Sequence, residues 1–280
     1  MISVSKLQKK QVNLPLNLVI NTLNLPGENW RKQLAAWAIP NEILNQAEES
    51  PWIHPPALFE IPEIITDTPS HQIAREVLFD ESSVLDIGCG GGIAAFALVP
   101  PATFVFGVDH QPEMLEMFTN NAQNRQVNSE VALGNWPEVA SKTPNADVVT
   151  AHHVLYNVAQ VEDFLLKMNE HALKRVVIEI PTKHPLSNMS ELWRHFWKLE
   201  RPVSPSYSNL VEVISEMGFE PKFKVWSGEM RSESSIEQAA EFMRIRLCLP
   251  KNRFSDVKEF LEAQTKQSVR ELATIWWDKK

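Results

Sequence analysis

Cysteine is scarce, with two residues in 280, Cys89 and Cys248. They form no CxxC pair, so neither a disulfide framework nor a thiolate zinc site is expected, and both read as reduced thiols. The chain also lacks HxxxH spacing and any acidic triad, so no metal is expected. Positive charge is in deficit. Twenty-seven Lys and Arg face 35 Asp and Glu, a formal net charge of −8, so a broad footprint for nucleic acid is not expected. No apolar run approaches the roughly 20 residues that span a bilayer. The start, MISVSKLQKKQVNLPLNLVI, sets Lys6, Lys9 and Lys10 before a short apolar stretch broken by Asn13, Pro15 and Asn17. That makes a poor secretory signal, so a cytoplasmic protein without a membrane partner is the expectation. There is no internal repeat, low-complexity tract or Gly/Ser linker.

What is present is a globular composition, 44% hydrophobic and 22% charged. From about residue 83, short β-branched or apolar runs alternate with helical patterns, which predicts a mostly parallel sheet covered by helices. Strands are expected at 84–87, 104–108, 130–133, 147–151, 175–180 and 221–226, with a last candidate at 271–277. Helices are expected at 112–124, 161–173, 208–217, 235–247 and 255–264. Residues 1–80 read differently, with helices at 18–25 and 30–44 joined by proline-containing loops. The expected division is a helical amino-terminal cap, 1–80, and an α/β domain, 81–280.

The chemistry concentrates in Val84-Leu85-Asp86-Ile87-Gly88-Cys89-Gly90-Gly91-Gly92 followed by the helix-like Ile93-Ala94-Ala95-Phe96-Ala97-Leu98. Strand, tight turn and helix follow one another, and glycines suit a turn against which a ligand must lie close. A second acid, Asp109, ends the next strand, 109 − 86 = 23 residues on. An acid at that spacing is placed to accept hydrogen bonds from ribose hydroxyls. Nicotinamide enzymes and methyltransferases both meet these requirements. Two details divide them. The dinucleotide fingerprint wants glycine or alanine three residues after Gly90, where this chain has Ile93. Asp86, just before the turn, would repel a pyrophosphate and attract a sulfonium or ammonium.

On these residues, with FGVDHQPEMLEMFTNNA, ALGNWPE, DVVTAHHVLYNV and RELATIWWD, the segment from about 80 to 280 resembles the class I S-adenosylmethionine-dependent methyltransferases. The resemblance implies a Rossmann-like, seven-stranded, mostly parallel sheet with helices on both faces and the last strand antiparallel. It implies S-adenosylmethionine as cofactor, with Asp86, Gly88, Cys89 and Gly90 at its methionine end and sugar, and Asp109 on ribose. His110 and Met114 would flank adenine, Asn135 would bond its amino edge, and Trp136 would contact the ring by backbone or side chain. Asn135 stands where the family commonly has Asp. By the same resemblance His152 would face cofactor and acceptor, and His152, His153 and Tyr156 are the acceptor-side candidates for catalysis.

A base would help an acceptor that carries a proton, such as a phenol or alcohol, by roughly 10²–10⁴-fold, and would be idle for a neutral amine. Trp193, Phe196 and Trp197 recur at helical spacing and read first as core; with Trp37, Trp52, His54 and Phe59 they are candidates to wall an acceptor pocket. The expected function is methyl transfer to a small molecule. The alternatives are a non-catalytic S-adenosylmethionine-binding regulator, a protein or RNA methyltransferase, and a nicotinamide oxidoreductase. The sequence does not give the oligomeric state.

Overall fold

The computed structural model describes residues 25–52, 60–229, 235–264 and 269–280. Within them, helices α1 (Pro26–Ala35), α2 (Asn41–Leu44) and α3 (Pro69–Arg75) precede the first strand. The chain then alternates through β1 (Ser83–Ile87), α4 (Ile93–Phe96), β2 (Phe104–Asp109), α5 (Pro112–Asn124), β3 (Asn128–Leu133) and β4 (Ala146–His152). Next come α6 (Val161–His171), β5 (Ala172–Pro181), α7 (Ser190–Trp197) and α8 (Tyr207–Glu216). The remainder is β6 (Lys222–Glu229), α9 (Ile236–Arg246), α10 (Phe254–Glu262) and β7 (Val269–Asp278).

The strands form one sheet in the order β3-β2-β1-β4-β5-β7-β6. The first five run parallel, while β7 is antiparallel to both β5 and β6. Central strands read as nearly continuous buried runs because helices cover both faces; β3, at the sheet edge, has only exposed and half-buried residues. One face packs Leu85, Ile87, Val149, Ile178 and Ile275 against α6 and α8. The other packs Val84, Val105, Val148 and Val177 against α3, α4 and α5.

Local signals explain the helix starts. Proline occupies the first turn of α3 and α5, where its missing N–H costs nothing. Thr68 and His71 form a reciprocal capping box on α3, as Ser235 and Gln238 do on α9. The helix expected over 30–44 is two helices, because Pro40 interrupts the amide ladder between α1 and α2. The one expected over 18–25 falls almost wholly outside the described residues. Helix α6 ends at His171 and β5 starts on the following residue, two positions before the expected helix end.

Helix α1 is part of the main core. Trp30 is fully buried and its indole N–H donates to the Val158 carbonyl at 2.8 Å. A third apolar cluster joins Ile39 and Ile43 to Leu192 and Trp193 of α7, Ala240 of α9 and Val257 of α10. The chain enters α7 after the end of β5 and leaves the sheet for α9 and α10 between the end of β6 and the start of β7. Those points lie at the edge where β1, β2 and β4 also end, so this helical lobe rises from the carboxyl-terminal edge of the sheet. Among the described residues no helix is long and apolar enough to cross a membrane.

Candidate functional site

The glycine turn follows β1 at that same edge. Gly88 and Gly90 both have positive φ, +69° and +50°. A Cβ on Gly88 would lie 2.5 Å from Val154 Cγ2, so a side chain there meets both backbone strain and a clash. Asp109, at the tip of β2, ties the turn down: Oδ2 accepts from the Gly90 N–H and Oδ1 from the Gln111 N–H, each at 3.0 Å. A carboxylate accepts about four hydrogen bonds, so lone pairs remain for hydroxyls.

Asp86 is 1% exposed, and its Oδ2 has no hydrogen-bond partner among the described residues. Burial pushes its carboxyl up to about 7, partly offset by the Ala95 backbone N–H and reinforced by the Asp109 carboxylate. A buried, unpartnered acid oxygen is costly unless something cationic or hydrogen-bonding is brought to it. Between the two acids, burial and their negative charge drive the Cys89 thiol well above its ordinary value, so it stays protonated.

Asp109 and Leu133 are register partners, and the Gly134 N–H donates to the Asp109 carbonyl, which brings Asn135 beside the second acid. Asn135 is exposed, Met114 is buried in the first turn of α5, and His110 Nδ1 lies 3.4 Å from Asp109 Oδ1 with its ring largely in solvent. Trp136 departs from this group. Its indole turns into the core, donating to the Phe164 carbonyl at 3.1 Å and meeting His171 edge to face, so only its backbone stays on the side of Asn135.

On the acceptor side, His152 and Glu179 are register partners on β4 and β5, and Glu179 pairs in turn with Thr274 of β7. Glu179 is 4% exposed. His153 Nε2 lies 3.1 Å from its Oε1, His152 Nδ1 lies 3.9 Å from its Oε2, and the Thr68 hydroxyl donates to Oε2 at 3.4 Å. Burial opposes its charge, but the imidazoles and the Ser70 hydroxyl hold its carboxyl far below the usual range. Ser70 also shares a 2.6 Å hydrogen bond with Thr274. The His71 ring stacks on His152 at 5.6 Å. Burial pushes His152 down to about 3 against the pull of Glu179, so it is neutral at ordinary pH.

Tyr156 is committed elsewhere. Its hydroxyl donates to the Pro181 carbonyl at 2.9 Å, its ring stacks on Trp30, and burial raises its phenol well above the ordinary value. Trp193 is buried in the lobe with Phe196 and Trp197 packed around it, Trp37 stacks on His184, and Trp52 is exposed. His54 and Phe59 lie outside the described residues. Among the described residues no group of three or more His, Cys, Asp or Glu is arranged to hold a metal ion.

Sequence reasoning missed Glu179, Ser70, His71 and Arg270. Glu179 did carry a signal, a single acid inside the apolar run VVIEIP. The others carried none, since the docking of α3 and the pairing of β7 bring them in.

Known proteins share part of this chain's sequence and its fold. The profile of a methyltransferase domain matches residues 78–204. Ribosomal protein L11 methyltransferase of Laribacter hongkongensis is 31% identical over 122 residues, 43% of this chain and 40% of that protein. Ubiquinone biosynthesis O-methyltransferase of Coxiella burnetii is 24% identical over 107 residues, 38% of this chain and 46% of that protein. The chain thus spans less than half the length of these curated relatives. In fold, the YcgJ protein of Bacillus subtilis superposes with a TM-score of 0.52 at 18% identity, over 75% of this chain and 98% of that one. Residues 78–204 therefore resemble a methyltransferase domain, and the chain shares its fold with the YcgJ protein.

Proposed function

We propose that this chain binds S-adenosylmethionine across the glycine turn and transfers its methyl group to a small organic acceptor held beneath the helical lobe. The observation that carries the reading is the unpartnered, buried Asp86 oxygen beside a turn that Asp109 fixes from the other side. A sulfonium nucleoside fits this pair, with positive charge toward Asp86 and ribose hydroxyls toward Asp109. His110 and Met114 would flank the base, Asn135 would accept from its amino group through the amide oxygen, and Gly88, Cys89 and Gly90 would line the backbone side. His152 would stand at the boundary between cofactor and acceptor.

The bound cofactor supplies an electrophilic methyl group. The chain's part is positioning: holding an acceptor in line with that carbon is worth roughly 7–11 kcal/mol in favourable systems. The lobe, made from residues 39–49 with α7, α9 and α10, rises from the edge where the site lies and would exclude water from it. A protein acceptor is the second reading, favoured by the relative whose name specifies a ribosomal protein. The net charge of −8 weighs against binding to ribosomal RNA.

Isothermal titration tests the reading. S-adenosylmethionine and S-adenosylhomocysteine should each bind saturably at one site; absence of heat at millimolar ligand, with the protein shown to be folded, would remove it. Asp86 adds a pH signature. Its carboxyl rises from 3.8 to about 7 on folding, so the folded chain holds the extra proton between about pH 4 and 7. The stability contribution of this group is therefore fully present below pH 4 and is lost as pH rises through 7.

A cationic ligand favours the ionised form, so binding of S-adenosylmethionine should release a proton below pH 7. Its affinity should climb by up to about tenfold per pH unit toward 7, then level off. S-adenosylhomocysteine, neutral at sulfur, should show a smaller slope. Titrations at pH 6.5 in two buffers of different ionisation enthalpy measure the release directly. Equal slopes for the two ligands would take the sulfonium away from Asp86.

A further inference from the structure

His152 and His153 are adjacent in sequence, but the structure gives them unlike surroundings. His152 points inward, with its side chain 13% accessible and stacked on His71. His153 turns the other way in the left-handed region, at φ +61°. Such a conformation is strained for a non-glycine residue and persists where neighbours over-determine it. Glu179 supplies both restraints. The His153 N–H donates to the Glu179 carbonyl at 2.7 Å, and the imidazole Nε2 lies 3.1 Å from the Glu179 carboxylate. The ring remains 37% accessible. The next residue, Val154, is the one that reaches the glycine turn at Gly88. His153 is therefore one residue from the cofactor cradle, partly open, and gripped at backbone and ring by one buried acid.

We propose that Glu179 and His153 form a carboxylate–imidazole dyad that removes the proton from a hydroxyl acceptor, so that the methylated atom is an alcohol or phenol oxygen. This rests on the methyltransferase reading above and narrows it. An ionised carboxylate facing Nε2 fixes the tautomer that carries its hydrogen there, which leaves the Nδ1 lone pair as the base. Glu179 is a positioning residue, acting through His153.

The other charged or titratable neighbours are His152 on β4, His71 on α3 and Arg270 on β7, whose Nη2 lies 3.4 Å from His153 Nε2. A guanidinium only donates, so it would select the opposite tautomer; the carboxylate, closer and oppositely charged to an imidazolium, prevails. In the reaction the acceptor O–H proton passes to Nδ1 and an oxygen lone pair forms the O–CH₃ bond. The C–S bond breaks with its electron pair left on sulfur, discharging the sulfonium. His153 holds the proton as imidazolium, balanced by Glu179, until solvent takes it. A neutral amine brings a lone pair without a proton to lose, and the dyad would have no part in its methylation.

The test uses the full chain. Nitrogen-15 spectra of histidine-labelled protein at pH 8, without cofactor, should show His153 with hydrogen on Nε2 and a bare Nδ1. With S-adenosylmethionine as donor, catechol should be methylated faster than aniline, an amine that is neutral at this pH. Glu179→Gln should lower kcat on catechol by roughly 10²–10⁴-fold, with KM and S-adenosylhomocysteine affinity within about twofold of the wild type. Hydrogen on Nδ1 in the wild-type spectrum, preference for aniline, or an unchanged kcat in Glu179→Gln would each overturn the dyad. The spectrum needs no variant, so a folding defect in Glu179→Gln cannot decide the matter. Failure of the wild type to bind S-adenosylhomocysteine would count against the methyltransferase reading itself.

Discussion

Replacing Asp109 by alanine should weaken S-adenosylmethionine binding by about 1–3 kcal/mol, roughly 5- to 150-fold in Kd. Two losses combine in that figure. The ribose hydroxyls lose their charged acceptor, and the N–H groups of Gly90 and Gln111 lose the carboxylate oxygens that hold them at 3.0 Å. Because the Gly90 N–H belongs to the turn, part of the cost falls on the shape of the cradle rather than on the ligand contact. Asp109→Asn separates the two: the amide oxygen can replace one acceptor and not both, so its affinity should fall between wild type and alanine. Titration calorimetry on all three proteins checks the order. Unchanged affinity in Asp109→Ala would reassign this residue to capping the turn before α5.

Trp30→Ala should destabilise the fold by about 3–5 kcal/mol, the usual cost of emptying a buried tryptophan site. The indole is fully enclosed, stacks on Tyr156 at 5.7 Å, and leaves the Val158 carbonyl without its donor when removed. Helix α1 would keep its link to α6, where Arg31 Nη1 donates to both Glu162 oxygens at 2.9 and 3.0 Å. That pair is one-third exposed on each side and is worth about 1 kcal/mol or less. Trp30→Phe should cost less, since a ring still fills the site while the hydrogen bond to Val158 is lost. Tyr156 and Val158 belong to the loop that follows His152 and His153, so the alanine variant should also slow turnover at temperatures where it remains folded. Chemical denaturation gives the stability difference. A change below 1 kcal/mol would mean that the amino-terminal helix is not part of the cooperative core.

Much of the α/β architecture could be read from the chain because the signals are local. Each buried strand is a short apolar or β-branched run, and proline or a capping residue opens several of the helices, as at Pro112 in α5 and Ser235 in α9. The expected helix over 30–44 went wrong at Pro40, where the apolar pattern continued but the backbone could not. The cofactor side was legible for a related reason. Asp86 and Asp109 lie at or next to the ends of adjacent parallel strands, one turn and one crossover apart, so chain order itself places them together. The direction of Trp136 was not legible, because it depends on the space left beneath α6.

The acceptor side was only half visible. His152 and His153 stand out as a pair at the end of a strand, yet what distinguishes them is Glu179, 26 residues beyond His153 and set opposite by the register of β4 and β5. His71 and Ser70 arrive from a helix more than a hundred residues before Glu179, and Arg270 from the antiparallel last strand. Such contacts arise from the docking of elements, and no spacing rule in the sequence encodes them. The lobe is similar: its core joins residues near 40, 190, 240 and 257, which is why a division drawn along the chain at residue 80 does not describe where the helices meet.

The most direct measurement is a crystal structure of the chain grown with S-adenosylmethionine or its demethylated product. The account requires the ribose hydroxyls within hydrogen-bonding distance of the Asp109 carboxylate, the methionine end facing Asp86, and the reacting carbon directed toward His153. A diphosphate against the glycine turn, or a nucleoside bound away from both acids, would contradict it.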